Sequence, residues 1–321
     1  MKKNITLFIL LILSLIIVAC SNEEAIVGGS SEDGLDSVNN KAVTLSGATM
    51  DDVSVLIFGF DNADFKYQRA INTGWSADGK VSTLLEIGTY KFLFLKNAGA
   101  NTNFNPNPLN ANSDFEDIRI DAKNDPSNAG YLLPVDEIWL PETESMADEI
   151  YVIKDSTTIH NKLKRAVSQV QLTIKRAYND SGTIKPLPFP TGVDIMANIK
   201  EIKIDINGVG QSIDIAGGIG AGKTLYLAQS ADSITSDGYA IFDGPFVFPN
   251  GSGTNSSVDI TIVPKDNNPF PVMSKEVQGL LERNKKLEIT LWLTSTYKFI
   301  NITVKIEPIS ESEDGDTGIW E

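Results

Sequence analysis

From Ala42 onward the apolar residues fall at alternate positions in short runs, each bounded by clusters of Gly, Asn, Asp, Ser and Pro. A period of two puts successive side chains on opposite faces of an extended chain, so these runs predict half-buried strands rather than helices. Val170, Leu172 and Ile174 would face a core while Gln171, Thr173 and Lys175 face water. Ile202, Ile204 and Ile206 repeat the pattern, as do Ile300, Ile302, Val304 and Ile306. Strands are predicted at 53–60, 81–87, 89–97, 118–121 and 150–154, then at 170–175, 199–206, 212–215, 240–248, 258–263, 287–293 and 300–306. The last two, joined through Thr294, Ser295, Thr296 and Tyr297, read as an antiparallel hairpin. Helix is expected only at 275–283 (KEVQGLLER) and at 156–165. Without a regular alternation of strand and helix, a doubly wound parallel sheet is disfavoured, and the expected class is all-β, built from antiparallel sandwiches.

A chain of 321 residues, 41% of them hydrophobic, has the length of about two domains. The boundary is expected near Asp155-Ser156-Thr157-Thr158, giving β-sandwiches over 42–157 and 158–321. The second would end in an acidic tail at 310–321 (SESEDGDTGIWE), either a segment that docks into a neighbour or an end whose Trp320 packs locally.

Composition removes several functions. One cysteine allows no internal disulfide and no Cys-cluster zinc site, and one histidine leaves no His-x-x-x-His metal pair. Any Ser-His-Asp or Cys-His catalysis would have to run through His160. With 42 acids against 27 Lys plus Arg, a net charge of −15 and no dense basic run, nucleic acid is not an expected partner.

The lone cysteine carries positive information. Lys2 and Lys3 precede an apolar run over 5–19 that is too short to span a bilayer, which needs about 20 residues. That run fits the apolar region of a secretory signal peptide better than an anchor helix. It ends in Ile17-Val18-Ala19-Cys20, which resembles the bacterial lipobox, so residues 1–19 are expected to be removed and Cys20 to be lipidated and palmitate-bearing. Acyl chains contribute about 0.8 kcal/mol per buried CH₂, so several together hold a protein on a membrane durably. Loss of Lys2 and Lys3 takes the net charge from −15 to −17. Ser21-Asn22-Glu23-Glu24 resembles the acidic signal that exports Bacteroidetes lipoproteins to the cell surface. Residues 20–41, rich in Gly, Ser, Asp and Asn, read as a flexible tether.

Several segments resemble the Bacteroidetes fimbrillin superfamily of fimbrial subunits and anchor lipoproteins. Val53-Ser54-Val55-Leu56-Ile57-Phe58 is followed by Gly88-Thr89-Tyr90-Lys91-Phe92 and Leu95-Lys96-Asn97, a layout common in the family's N-terminal domain. Residues 163–170 (LKRAVSQV) are similar to the family's Leu-x-Arg-x-x-Ala-x-Val strand, with Ser168 where Ala is typical. The resemblance implies two transthyretin-like β-sandwich domains in a lipoprotein that assembles by strand exchange. In stalk subunits of the family, a surface protease cuts after Arg or Lys near the first strand and opens a groove for a neighbour's strand. Here the first strand is expected at 42–47, and Ala48-Thr49-Met50-Asp51-Asp52 holds no basic residue; Lys41, Lys66 and Arg69 are the nearest. The first strand is therefore expected to stay attached, as suits an anchor or accessory subunit.

Other motifs invite different readings. GGIGAGKT at 217–224 matches the P-loop letters, with Lys223 and Thr224 in the phosphate and Mg²⁺ positions, but its surroundings read as antiparallel strands, which favours a Gly-rich strand connection. Asp114, Glu116 and Asp117, like Glu313, Asp314 and Asp316, could hold Ca²⁺ but fit no EF-hand and read better as solvated loops. Trp75, Trp139 and Trp292 could form a sugar platform, with core packing favoured for Trp292. Asp36-Ser37-Val38 and Asp232-Ser233-Ile234 resemble an O-glycosylation sequon. The expectation is a non-enzymatic, cofactor-free fimbrial subunit at the outer-membrane surface. Its expected partners are other fimbrial subunits, joined by strand complementation, the outer membrane through Cys20, and host or bacterial surface ligands. The alternative is a carbohydrate- or host-ligand-binding surface lipoprotein on the same fold.

Overall fold

The computed structural model describes residues 39–46, 53–187, 195–236, 238–251, 255–266 and 270–309. The first stretch holds β1 (Asn40–Ser46), β2 (Val53–Asp61), β3 (Asp64–Ile71), β4 (Lys80–Glu86), β5 (Gly88–Lys96), β6 (Thr102–Asn105) and β7 (Arg119–Ala122). It continues with β8 (Trp139–Pro141), the short α1 (Glu144–Ala147), β9 (Tyr151–Ile153), β10 (Thr157–His160) and β11 (Leu163–Arg165). A three-stranded sheet, β10-β1-β4, packs on a larger one ordered β11-β8-β5-β2-β3, with β9 added to β5.

This packing explains why 53–60 is a continuous apolar run rather than an alternating one. The sheet holding β2 is covered on both faces, so both parities must be apolar. Val55 and Ile57 join Tyr90, Phe92 and Phe94 in one core with Val43 and Leu45. Leu56 and Phe58 join Leu93 and Leu95 in a second, against Phe115, Ile118, Ile138 and Leu140.

The second stretch opens with β12 (Ser168–Asp180), β13 (Thr183–Pro186), β14 (Ile199–Val209), β15 (Ser212–Ile213), β16 (Gly218–Ile219) and β17 (Gly222–Ala228). It closes with β18 (Ser233–Ile234), β19 (Ala240–Val247), β20 (Ser256–Pro264), β21 (Met273–Gly279), β22 (Lys285–Leu293) and β23 (Phe299–Pro308). A sheet ordered β18-β19-β12-β22-β23, with β13 on β12, faces another ordered β17-β14-β20-β21. Between them lie Val170, Leu172, Ile174, Ile202, Ile204 and Ile206, each fully buried as the alternation predicts. A small sheet, β16-β15-β7-β6, joins the two stretches, and Ile213 and Phe248 enter the core under Leu56. The fold is all-β and largely antiparallel, with two parallel pairings, β1 with β10 and β12 with β22. The predicted hairpin is β22–β23, its turn closed by Thr294 N–H on the Lys298 carbonyl and Tyr297 N–H on the Thr294 carbonyl.

Neither expected helix forms; both segments are strand and connecting loop. Residues 275–279 form most of β21, where Val277 and Gly279 turn inward while Ser274, Lys275, Glu276 and Gln278 face water, and residues 280–283 belong to the connection to β22. β21 is an edge strand, and charged side chains on an edge resist pairing with other chains, so tertiary position overrides the helix preference of Lys, Glu and Leu. Residues 156–165 form β10 and β11, each tied into a sheet of the first set. A further correction concerns β23, whose Val304 and Ile306 are 37% and 39% exposed rather than core. They sit opposite the buried Ile289 and Leu287, but on the edge strand of their sheet.

Candidate functional site

β1, the first strand of the described residues, is paired on both sides. Its seven residues pair antiparallel with β4, from Asn40 opposite Glu86 to Ser46 opposite Lys80. On the other side Val43 to Ser46 pair in parallel with Thr157 to His160. Val43 and Leu45 are wholly buried against β2 and β5, while Ala42 is exposed. The surface beneath β1 is therefore a strand-shaped apolar trough walled by β4 and β10, and the chain's own first strand fills it.

The strand begins two residues before the expected Ala42, so Lys41 lies inside it, opposite Leu85, rather than in front of it. A cut after Lys41 would remove only Asn40 and Lys41 from the strand and leave Val43 and Leu45 in place. The next basic residues, Lys66 and Arg69, lie on β3. Lys66 forms an ion pair with Asp114, a bond that raises its pKa. The Arg69 guanidinium donates to the Thr83 hydroxyl at 2.6 Å and the Leu84 carbonyl at 2.7 Å.

The 163–170 motif lies where the chain passes from the first set of sheets to the second. Ala166 and Val167 are fully buried, and Ser168, in the position where Ala is typical, is accommodated by donating its hydroxyl to the Lys285 carbonyl at 2.9 Å. Arg165 is buried, paired with Glu137 and placed 4.6 Å from the Trp139 ring. Sequence reasoning missed Arg283. Its guanidinium donates to the carbonyls of Pro141 at 2.6 Å, Arg165 and Leu140 at 3.2 Å, and Lys164 at 3.3 Å. Burial lowers its pKa, with Glu142 opposing that shift. No local signal marks this residue, because its partners are more than a hundred positions away.

The remaining candidates are dispersed. Cys20, the Glu313, Asp314 and Asp316 group, Trp320 and Asp36-Ser37-Val38 lie outside the described residues. In the P-loop-like segment, Gly222, Lys223 and Thr224 open strand β17, with Lys223 exposed and Thr224 buried on the opposite face. Gly218 is required for packing, since a Cβ there would lie 1.7 Å from the Pro249 carbonyl oxygen. His160 is exposed on β10. Asp114 is paired with Lys66, and Glu116 accepts from the buried Lys91 at 2.9 Å, which also bonds Asp148 at 3.1 Å. Among the described residues no group of three or more His, Cys, Asp or Glu is arranged to hold a metal ion. Trp75 packs beside the β1 core, Trp139 lies under Arg165 and Trp292 near Lys175, so the three belong to separate environments. Ser233 is exposed on the edge strand β18.

A cavity of about 590 Å³ opens between β2, β3 and the loops that follow β5 and β6. Leu56, Leu95 and Phe104 contribute apolar wall, and Tyr67, Asn72 and Asn107 contribute polar groups. Burial raises the Tyr67 pKa. A second cavity, of about 380 Å³, is lined by Asp114, Glu116, Asp117, Asp214 and Arg119.

Solved structures share this fold, three of them as follows. A candidate adhesin from Bacteroides ovatus superposes with a TM-score of 0.53 at 12% identity, covering 85% of this chain and 97% of that one. A candidate polysaccharide-binding protein from Bacteroides thetaiotaomicron gives 0.52 at 11% identity over 86% and 99%. A candidate cell adhesion protein from Bacteroides eggerthii gives 0.50 at 11% over 84% and 96%. No curated protein matches the sequence. A family model, Fimbrillin-A associated anchor proteins Mfa1 and Mfa2, matches residues 37–314. With that match spanning every strand described above, the chain belongs to the family of fimbrillin-A associated anchor proteins.

Proposed function

We propose that this fimbrial-family surface protein is an anchor or accessory subunit, held on the outer membrane by lipid on Cys20 and joined to neighbouring subunits by strand complementation. The observation that carries the reading is β1. The trough that a neighbour's strand would need is already filled, Lys41 lies within the filling strand, and residues 47–52 offer no Arg or Lys. A subunit in this state keeps its fold continuous with its N-terminal tether. Load on the tether would reach β1 along its length and be shared by the hydrogen bonds to β4 and β10.

Contact with a neighbour then falls to a free sheet edge. β23 is a ten-residue edge strand with partly exposed Val304 and Ile306, and an unpaired row of backbone groups is a template for an added strand. The division into two sandwiches belongs to the same proposal. The pairing of β10 and β11 within the first set of sheets supports a passage between the two at Ala166–Val167, inside the family-like motif. The lipid part is tested by cell fractionation of Cys20→Ala. The variant is expected to leave the outer-membrane fraction, and its retention there would contradict the anchor.

The alternative, a ligand-binding surface lipoprotein, is supported by the 590 Å³ cavity beside β3, whose size falls in the range of small-molecule sites.

A further inference from the structure

We propose that the cavity between β2, β3 and the loops after β5 and β6 is a binding site for an uncharged saccharide. The proposal gives the alternative reading, a ligand-binding surface lipoprotein, a ligand class and rests on that reading alone; it is independent of how the subunit assembles.

Three observations point to this chemistry. None of the residues lining the cavity is charged, although the chain as a whole is 21% charged and strongly acidic. A charged ligand would find no counter-ion there, and leaving water for such a site would cost it its solvation without return. The walls also combine apolar and hydrogen-bonding surface. Leu56 and Leu95 are buried at its base, with Phe104 alongside, while the ring of Tyr67 is held edge-on to Phe58 at 5.8 Å between centroids. Finally, the Tyr67 hydroxyl and the Asn72 and Asn107 carboxamides are polar groups of the lining that make no hydrogen bond to any described residue.

A purely apolar occupant, such as an aliphatic side chain, would cover those three groups without satisfying them, and a polar group covered without a partner loses its bonds to water for nothing in return. A sugar ring answers both demands. Its C–H face packs against the Leu and aromatic surface, and its hydroxyls, each donor and acceptor, pair with carboxamides that likewise both donate and accept. The volume of about 590 Å³ accommodates a short oligosaccharide rather than a single small ion.

The test uses the mature full chain in detergent on an array of neutral oligosaccharides printed beside sialylated and sulfated ones. Asn72→Ala and Tyr67→Phe are the variants, because Asn72 is exposed and its carboxamide makes no hydrogen bond to a described residue, and Phe retains the ring packing. The wild type is expected to retain neutral glycans in preference to acidic ones, and each variant to bind the retained glycan about fivefold more weakly with an unchanged melting temperature. Binding to no neutral glycan, preference for the acidic ones, or variants that bind as well as wild type would each overturn the proposal. None of these outcomes would alter the status of β1 or Cys20, so failure of the cavity proposal is distinguishable from failure of the assembly reading.

Discussion

Leu45→Ala tests whether β1 is a structural part of the sandwich. The Leu45 side chain is fully buried between the strands that flank it, opposite Val81 on β4 and Ile159 on β10, in a core that includes Phe92 and Phe94. Removing its isobutyl group forfeits the transfer free energy of the lost methylenes and leaves a cavity that the paired backbones on either side cannot close, a loss of about 2–5 kcal/mol. For domains of about 150–250 residues, each kcal/mol moves the melting temperature by about 2–4 °C, so the fall is expected to be roughly 4–20 °C. Ala42→Ser, on the same strand but facing water, supplies the control and is expected to change stability by less than about 0.5 kcal/mol. Thermal melts by far-UV circular dichroism report both, with limited proteolysis showing whether the first set of sheets opens first. Equal melting temperatures for the two variants would refute the reasoning, because a strand that contributes nothing when its buried leucine is truncated is not seated in the trough.

Arg283→Met should destabilise by about 2–4 kcal/mol, since the carbonyls of Leu140, Pro141, Lys164 and Arg165 lose a shared charged donor. Arg283→Lys should recover little of this, because an ammonium lacks the planar fork, and denaturant titration distinguishes the two. Gly218→Ala should cost about 1–3 kcal/mol through its clash with the Pro249 carbonyl, whereas exposed Lys223→Ala should leave the denaturation midpoint unchanged. Asp259 stands directly between Asp205 and Glu276 across three strands, and burial first, then these two carboxylates, raises its pKa. A carboxyl whose folded pKa lies above its unfolded value imposes a penalty that is full above the folded pKa and disappears as pH falls through it. Asp259→Asn should therefore stabilise at pH 7, by about 0.5 kcal/mol after solvent screening, and the gain should vanish in acid; a gain that grows on acidification would contradict the sign.

The strands that sequence reveals are those whose burial is decided locally. β12 and β14 alternate because one face meets the opposing sheet, and β2 is apolar on both parities because two layers cover it. Edge strands break this link. β21 carries Lys275, Glu276 and Gln278 because its neighbours on one side are solvent, and those residue types read as helix. β23 alternates correctly, yet Val304 and Ile306 stay partly exposed, because alternation reports which face a residue points to and not whether anything lies opposite. β3, with Asp64, Lys66, Gln68 and Arg69, gives no apolar signal for the same reason. The filled trough was half legible: the missing basic residues at 47–52 are plain in the letters, but the parallel pairing of β1 with β10 joins positions more than a hundred residues apart. The cavity beside β3 was not legible at all, since Tyr67, Asn72 and Asn107 become neighbours only when the loop after β6 folds back over β3.

The central claim is that the working protein keeps its first strand and reaches the membrane through Cys20. Intact-mass analysis of the form isolated from the cell surface, combined with sequencing of its N-terminal peptide, measures both at once. The account predicts a chain that starts at an acyl-modified Cys20 and runs uninterrupted through Asn40–Ser46 into β2. A surface form whose N-terminus falls after Ser46, or one that starts at an unmodified residue, would contradict it.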